Sequence, residues 1–81
     1  MSLLEDIAEN YPHLLKMDGY DAAIIGIVER PGLEAICYDY RKVIEILMSE
    51  MSEDEAREYF SFNMIGAYMG EFTPVFLMEE L

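Results

Sequence analysis

The first part of the chain shows apolar positions at helical spacing. Apolar residues recur at intervals of three and four through residues 3–11, and Ser2 followed by Glu5 has the spacing of a capping box. Pro12 cannot continue a helix, because it lacks a backbone N–H and its ring clashes with the preceding turn. The pattern therefore predicts a short amphipathic helix that ends before Pro12, followed by a connector over residues 13–21.

The next segment is almost wholly apolar. Residues 22–29 are rich in β-branched side chains, which is typical of a strand buried on both faces. Pro31 and Gly32 fit the two middle positions of a type II turn, because proline fixes φ and glycine accommodates a positive φ. Residues 34–38 then form a returning strand. We expect a β-hairpin whose first strand is central in its sheet.

Two helical patterns follow the hairpin. Asp39 is placed to cap the first helix, whose apolar residues recur from Tyr40 to Met51. Ser52 and Glu55 have capping-box spacing and predict the start of a third helix. From Tyr59 to Met69 this helix is apolar on nearly every side, so we expect that half to fill the core or to form a homodimer seam.

The last segment reads as a strand over residues 73–78, with Pro74 near its start, where a missing N–H is tolerated. At 81 residues the chain fits a single domain, 1–81, with one core. The predicted fold is α+β: a small three-stranded antiparallel sheet, made of the hairpin and the C-terminal strand, packed against two to three helices in the order α-β-β-α-α-β.

The net charge of the chain limits the kinds of partner that it can bind. The chain has 17 acidic and 5 basic residues, and its net charge of −12 repels phosphate backbones and anionic membrane surfaces. We therefore expect no direct nucleic-acid binding and no membrane association. No apolar run reaches the roughly 20 residues of a membrane span. Cys37 is the only cysteine, so no intrachain disulfide can form, and we expect a cytoplasmic protein.

Residue patterns typical of metal, phosphate-binding or catalytic sites are scarce. A structural zinc site needs about four Cys, His or carboxylate ligands, and His13 and Cys37 fall in different predicted elements. The five glycines are isolated, so no phosphate-binding loop is present. We expect no metal and no cofactor, name no catalytic residue, and do not favour an enzyme.

Acidic residues concentrate near the start of the third helix. Glu50, Asp54 and Glu58 are four residues apart and would share a helix face, with Glu53 and Glu55 beside them. Such a face could mimic DNA phosphates or dock on a basic host protein. The alternative is a solvated face that serves only solubility.

A second set of polar residues lies at predicted strand ends or inside the apolar helix, where a polar side chain needs a partner. The set is Arg30, Tyr38, Asn63, Glu71 and Thr73. These residues could line a small-ligand pocket. The alternative is that Asn63 and Glu71 bond backbone groups at helix ends while Arg30 pairs with a nearby acid.

Several motifs between residues 18 and 76 carry a family resemblance. The most specific run comprises Glu58-Tyr59-Phe60, Asn63, Gly66-Ala67-Tyr68, Gly70-Glu71 and Thr73-Pro74-Val75-Phe76. Earlier matching pieces are Ala23-Ile24-Ile25-Gly26 with Glu29-Arg30, Tyr38-Asp39, Ile44-Glu45-Ile46-Leu47 and Met51-Ser52-Glu53-Asp54-Glu55-Ala56. The chain resembles a family of short acidic proteins of tailed phages and marine viral genomes. The resemblance implies a viral or viral-like origin and a shared fold, and it brings no catalytic residues.

Charge and resemblance together favour a viral protein-binding module that inhibits a host defence or nucleic-acid enzyme through its acidic helix face. Its partner would be a host protein with a basic surface, and the segment from Tyr59 to Met69 would join two copies. A small-ligand-binding or sequestering protein is the first alternative. A small enzyme is the second.

Overall fold

A computed structural model of the chain describes residues 3–80. Its elements are α1 (Leu3–Asn10), a 3₁₀ turn (Asp21–Ala23), β1 (Ile24–Arg30), β2 (Leu33–Asp39), α2 (Tyr40–Leu47), α3 (Glu53–Asn63) and β3 (Val75–Leu77). The predicted α+β class and element order are confirmed. Ser2, half of the first predicted capping box, lies outside the described residues.

The sheet has the order β1-β2-β3, with β1 and β2 antiparallel. Gly32 has the positive φ, 84°, that the predicted hairpin turn requires. β3 runs parallel to β2, so the sheet is mixed. The prediction of a fully antiparallel sheet is therefore wrong. The connection from β2 to β3 contains both later helices, and a crossover of that length can return the chain in the same direction.

The central strand is β2 and not β1, in contrast to the prediction from the apolar run. β1 is an edge strand with a bulge, in which Ile25 and Gly26 together lie opposite Cys37. Ile25 is 40% exposed. An apolar strand therefore occupies a position where one edge stays unpaired.

Local capping contacts fix the starts of the two later helices. The Asp39 carboxylate accepts a hydrogen bond from the Arg41 N–H at 3.0 Å. The Ser52 hydroxyl accepts from the Glu55 N–H, and the Glu55 carboxylate accepts from the Ser52 N–H, both at 3.2 Å. Both predicted caps are confirmed.

The ends of these helices come earlier than predicted. α2 ends at Leu47 and does not reach Met51. α3 ends at Asn63, so the predicted helical segment from there to Met69 is not helical. The Asn63 side-chain amide donates a hydrogen bond to the Tyr59 carbonyl at 3.1 Å. Residues 64–74 form a loop that leads to β3.

The core cluster lies on one side of the sheet, which we call the inner face, and Ala35 on the opposite side of β2 is also fully buried. The strand residues that belong to this cluster or pack against it are Ile24, Ile27, Ile36, Tyr38 and Phe76. The helices and the connector add Ile7, Leu14, Val43, Ile44, Leu47, Ala56 and Phe60. The rings of Phe60 and Phe76 meet edge to face with centroids 4.8 Å apart, which joins α3 to this face.

Candidate functional site

The predicted acidic set, Glu50, Glu53, Asp54, Glu55 and Glu58, is exposed but is not one helix face. Glu50 precedes the N-cap Ser52 and lies in the turn between α2 and α3. The prediction that it shares a helix face with Asp54 and Glu58 is therefore wrong. The other four residues lie in the first two turns of α3.

Two members of the set have structural roles. Glu53 forms an ion pair with Arg57 one turn further on, at 2.7 Å between Oε2 and the guanidinium nitrogen. Glu55 belongs to the capping box, and its hydrogen bonds from the backbone and side chain of Ser52 lower the pKa of its carboxyl group. Asp54 and Glu58 stand four residues apart on the helix.

Glu50 lies within electrostatic range of Tyr20. Burial is the largest cause of the raised pKa of Tyr20, and the neighbouring Tyr59 and the negative charge of Glu50 raise it further. Glu50 and the exposed Tyr59 therefore both lie within electrostatic range of the Tyr20 phenol. Acidic and apolar groups meet at this place.

Five large, exposed apolar side chains follow the acidic turns along the chain. We call them the apolar patch: Tyr59, Phe62, Ile65, Tyr68 and Met69, with 43, 78, 48, 80 and 53% of their surfaces exposed. Within the predicted seam from Tyr59 to Met69, Phe60 fills the core and is 2% exposed. The patch itself faces solvent.

A narrow groove of about 220 Å³ adjoins the patch. Tyr59 and Met69 belong to both, and the groove also takes in Tyr20, Asn63 and Thr73. The Thr73 hydroxyl forms two hydrogen bonds. It accepts one from the Met69 N–H at 2.7 Å and donates one to the Gly70 carbonyl at 2.6 Å. These bonds hold the loop that carries part of the patch.

The predicted ligand-binding set does not form one pocket. Arg30 and Glu71 line a wide cleft of about 670 Å³ at the tip of the hairpin, whereas Asn63 and Thr73 line the groove. Tyr38 is fully buried in the core. Asn63 bonds a backbone carbonyl near its helix end, which is the structural role that the sequence offered as the alternative.

The structure adds a contact that sequence reasoning missed. The His13 imidazole is paired with the Glu34 carboxylate, and its ring stands edge to face with Phe72 at 5.1 Å between centroids. Glu34 and Phe72 also line the hairpin cleft. His13 and Glu34 are 21 residues apart, so no local spacing could have indicated the pair.

Among residues 3–80, no three His, Cys, Asp or Glu side chains come together in a way that could hold a metal ion. None of the helices in this range has the length and apolar character needed to cross a membrane. The fold defines the chain as a small α+β domain. Comparisons with known protein families, curated proteins and solved structures found no match.

Proposed function

We propose that this chain is a protein-binding module that uses the apolar patch and the adjacent acids to hold an amphipathic, basic segment of another protein. The observation that carries the proposal is the patch, in which five large side chains are at least 43% exposed within eleven residues. Tyr59 and Met69 line the same groove, and a large exposed apolar surface on a small domain typically marks an interaction site.

The composition of the patch suits binding. Tyr59, Phe62 and Tyr68 are aromatic, and aromatic side chains are enriched at the energetic centres of interfaces because each buries a large area at low entropic cost. Burying the Phe62 side chain would contribute roughly 1.5–3 kcal/mol by transfer from water. The neighbouring groove offers a recess for one side chain of the partner.

Charge decides between a second copy and a different partner at this surface. Glu58 directly precedes Tyr59, the negative charge of Glu50 acts on Tyr20 in the adjoining groove, and the chain carries a net charge of −12. Two copies that met here would bring their acids together. A basic partner would gain from the same charges in association rate and in specificity.

The resemblance to viral proteins supports a host protein as the partner, met in the cytoplasm of the infected cell. A basic surface that binds nucleic acid would be complementary to this acidic and apolar surface. Occupation of that surface would inhibit the host enzyme by competition, without any reaction on this chain.

A designed peptide probe tests the proposal. The probe is a fluorescent helix with leucines on one face and lysines on the other, compared with a matched leucine and glutamate helix and with a lysine helix that lacks the leucines. Fluorescence anisotropy at low and raised salt should show binding of the first peptide only, weakening as salt increases.

Variants locate the binding surface. Phe62→Ser with Tyr68→Ser should weaken binding by roughly 10-fold or more, whereas Met48→Ser, which alters another exposed apolar residue, should not. The triple change Glu50→Gln, Asp54→Asn, Glu58→Gln should reduce the salt dependence, and Glu9→Gln, Glu79→Gln, Glu80→Gln is its control for net charge. Binding that survives both sets of changes would contradict the proposal.

A further inference from the structure

The groove beside the apolar patch is formed by four parts of the chain. Tyr20 comes from the connector, Tyr59 from α3, Met69 from the loop after α3 and Phe76 from β3. Its volume of about 220 Å³ is below the roughly 300–1,000 Å³ of pockets for drug-sized ligands. The groove therefore suits one long side chain better than a larger molecule.

The walls of this groove are uncharged. Among residues 3–80, the side chains that line it include no aspartate, glutamate, lysine, arginine or histidine. Three of them belong to Met17, Met64 and Met69, whose flexible thioether groups adapt to the shape of an occupant. An aliphatic stem would lie well against these walls, whereas a charged group placed among them would lose its hydration without compensation. A charge on the occupant therefore belongs where the groove meets solvent.

Two tyrosine rings of the groove provide a surface for a cation. Tyr59 is 43% exposed and Tyr20 is half-buried. Unlike Tyr38 and Tyr40, neither of them pairs with another aromatic ring within residues 3–80, and their hydroxyl groups form no hydrogen bond in this range. The face of a tyrosine ring attracts a cation that lies within about 6 Å of the ring centre, more strongly where water is partly excluded. The two rings therefore suit a positively charged head group.

The charge around the groove favours a cation over an anion. Burial raises the pKa of Tyr20 most, and Tyr59 and the negative charge of Glu50 raise it further, so this carboxylate acts at the groove. Glu58 directly precedes Tyr59, and the exposed Asp18 lies two residues before Tyr20. These acids would repel an anionic occupant and attract a cationic one.

We propose that the groove holds an arginine side chain of the basic partner, with the aliphatic stem against the methionines and the guanidinium group against the rings of Tyr20 and Tyr59. Arginine suits this arrangement better than lysine, because its guanidinium group is planar, is weakly hydrated and stacks on aromatic rings. This anchor rests on the proposed function, since it specifies one residue of the same partner. A partner that bound the apolar patch without using the groove would leave the proposed function intact.

An exchange of arginine for citrulline in the peptide probe tests the anchor, because citrulline has nearly the same shape and no charge. In the leucine and lysine helix, each lysine in turn is replaced by arginine or by citrulline. At one position, arginine should bind roughly 5-fold more tightly than citrulline, whereas the difference should be smaller at the others. Tyr20→Leu should remove this preference, and Tyr20→Phe, which keeps the ring, should retain it. Circular dichroism checks that both variants are folded.

Methionine methyl groups give a second readout that does not depend on the peptide. With isotopically labelled methyl groups, N-acetyl-arginine amide at millimolar concentration should shift the NMR signals of Met17, Met64 and Met69. It should leave unchanged the signal of Met48, which lines a different recess. The citrulline counterpart should shift none of these signals.

The anchor and the proposed function fail in different ways. Peptide binding with no arginine preference at any position, or a preference that persists in folded Tyr20→Leu, would overturn the anchor and leave the proposed function in place. Equal shifts by the arginine and citrulline derivatives would overturn the anchor as well. Groove signals that respond only to the arginine derivative, in a chain that binds none of the amphipathic peptides, would support the guanidinium site and contradict the proposed function.

Discussion

The hydroxyl of Tyr38 accepts a hydrogen bond from the backbone N–H of Met17, with 2.7 Å between oxygen and nitrogen. Tyr38 lies on the central strand and is fully buried, whereas Met17 lies in the connector between α1 and the sheet. The contact therefore ties an irregular segment to the core. Tyr38 acts here as a structural residue and not as the pocket residue that the sequence suggested.

Tyr38→Phe should lower the free energy of unfolding by about 1–2 kcal/mol, because it removes the acceptor for a partly buried N–H while preserving the ring. Urea denaturation followed by circular dichroism measures the change. Tyr68→Phe is the matched control, since Tyr68 is 80% exposed, and it should alter stability by less than about 0.5 kcal/mol. Equal stability of the two variants would contradict this role for Tyr38.

Stability should decline in alkali. Burial is the main cause of the raised pKa values of Cys37, Tyr20 and Tyr38, and the hydrogen bond from Met17 only partly offsets it at Tyr38. A raised pKa means that the folded state holds its proton more tightly than the unfolded state. The stabilisation is therefore complete below the unfolded pKa values and is lost as pH rises through them and then through the folded values.

Urea titrations at about pH 7.5, 9 and 10.5 test this dependence, since an unperturbed thiol titrates near 8.5 and a phenol near 10. The free energy of unfolding should fall from each pH to the next. Cys37→Ala should reduce mainly the fall in the free energy of unfolding between the first and second pH values. Tyr38→Phe should reduce mainly the fall between the second and third. A stability that rises with pH across this range would show that burial does not control these groups.

The features that the sequence predicted correctly depend on contacts within a few residues. The hairpin turn at Pro31 and Gly32, the Asp39 cap and the Ser52–Glu55 capping box all have their partners at most three residues away. Because Ser52 is the N-cap of α3, Glu50 lies before the helix. The Ser52–Glu55 spacing in the sequence therefore already argues against a helix face that includes Glu50.

The features that were missed depend on partners distant in sequence. The run of apolar residues in β1 indicated burial on both faces, but neither the edge position of β1 nor the direction of β3 is encoded by any local spacing. The end of α3 was hidden because the apolar residues continue to Met69 after the helix stops at Asn63. An apolar run without periodicity cannot separate a buried helix from an exposed apolar loop.

Two phenylalanines in α3 provide the sharpest test of which apolar side chains support the fold. The Phe60 ring is 2% exposed and stands edge to face with Tyr40 and with Phe76, each at 4.8 Å between centroids. Phe62, two residues later, is 78% exposed. Phe60→Leu should therefore lower the free energy of unfolding by about 1–3 kcal/mol through the loss of two aromatic pairs and some volume.

Phe62→Leu should change the free energy of unfolding by less than about 0.5 kcal/mol, because little of its surface is buried in the folded chain. Urea denaturation of both variants under identical conditions measures the difference. The binding assay should show the reverse order, with Phe62→Leu weakening capture of the basic amphipathic peptide and folded Phe60→Leu binding it as the native chain does. Equal destabilisation by the two changes would mean that Phe62 is covered in solution, and would remove the patch from the proposed function.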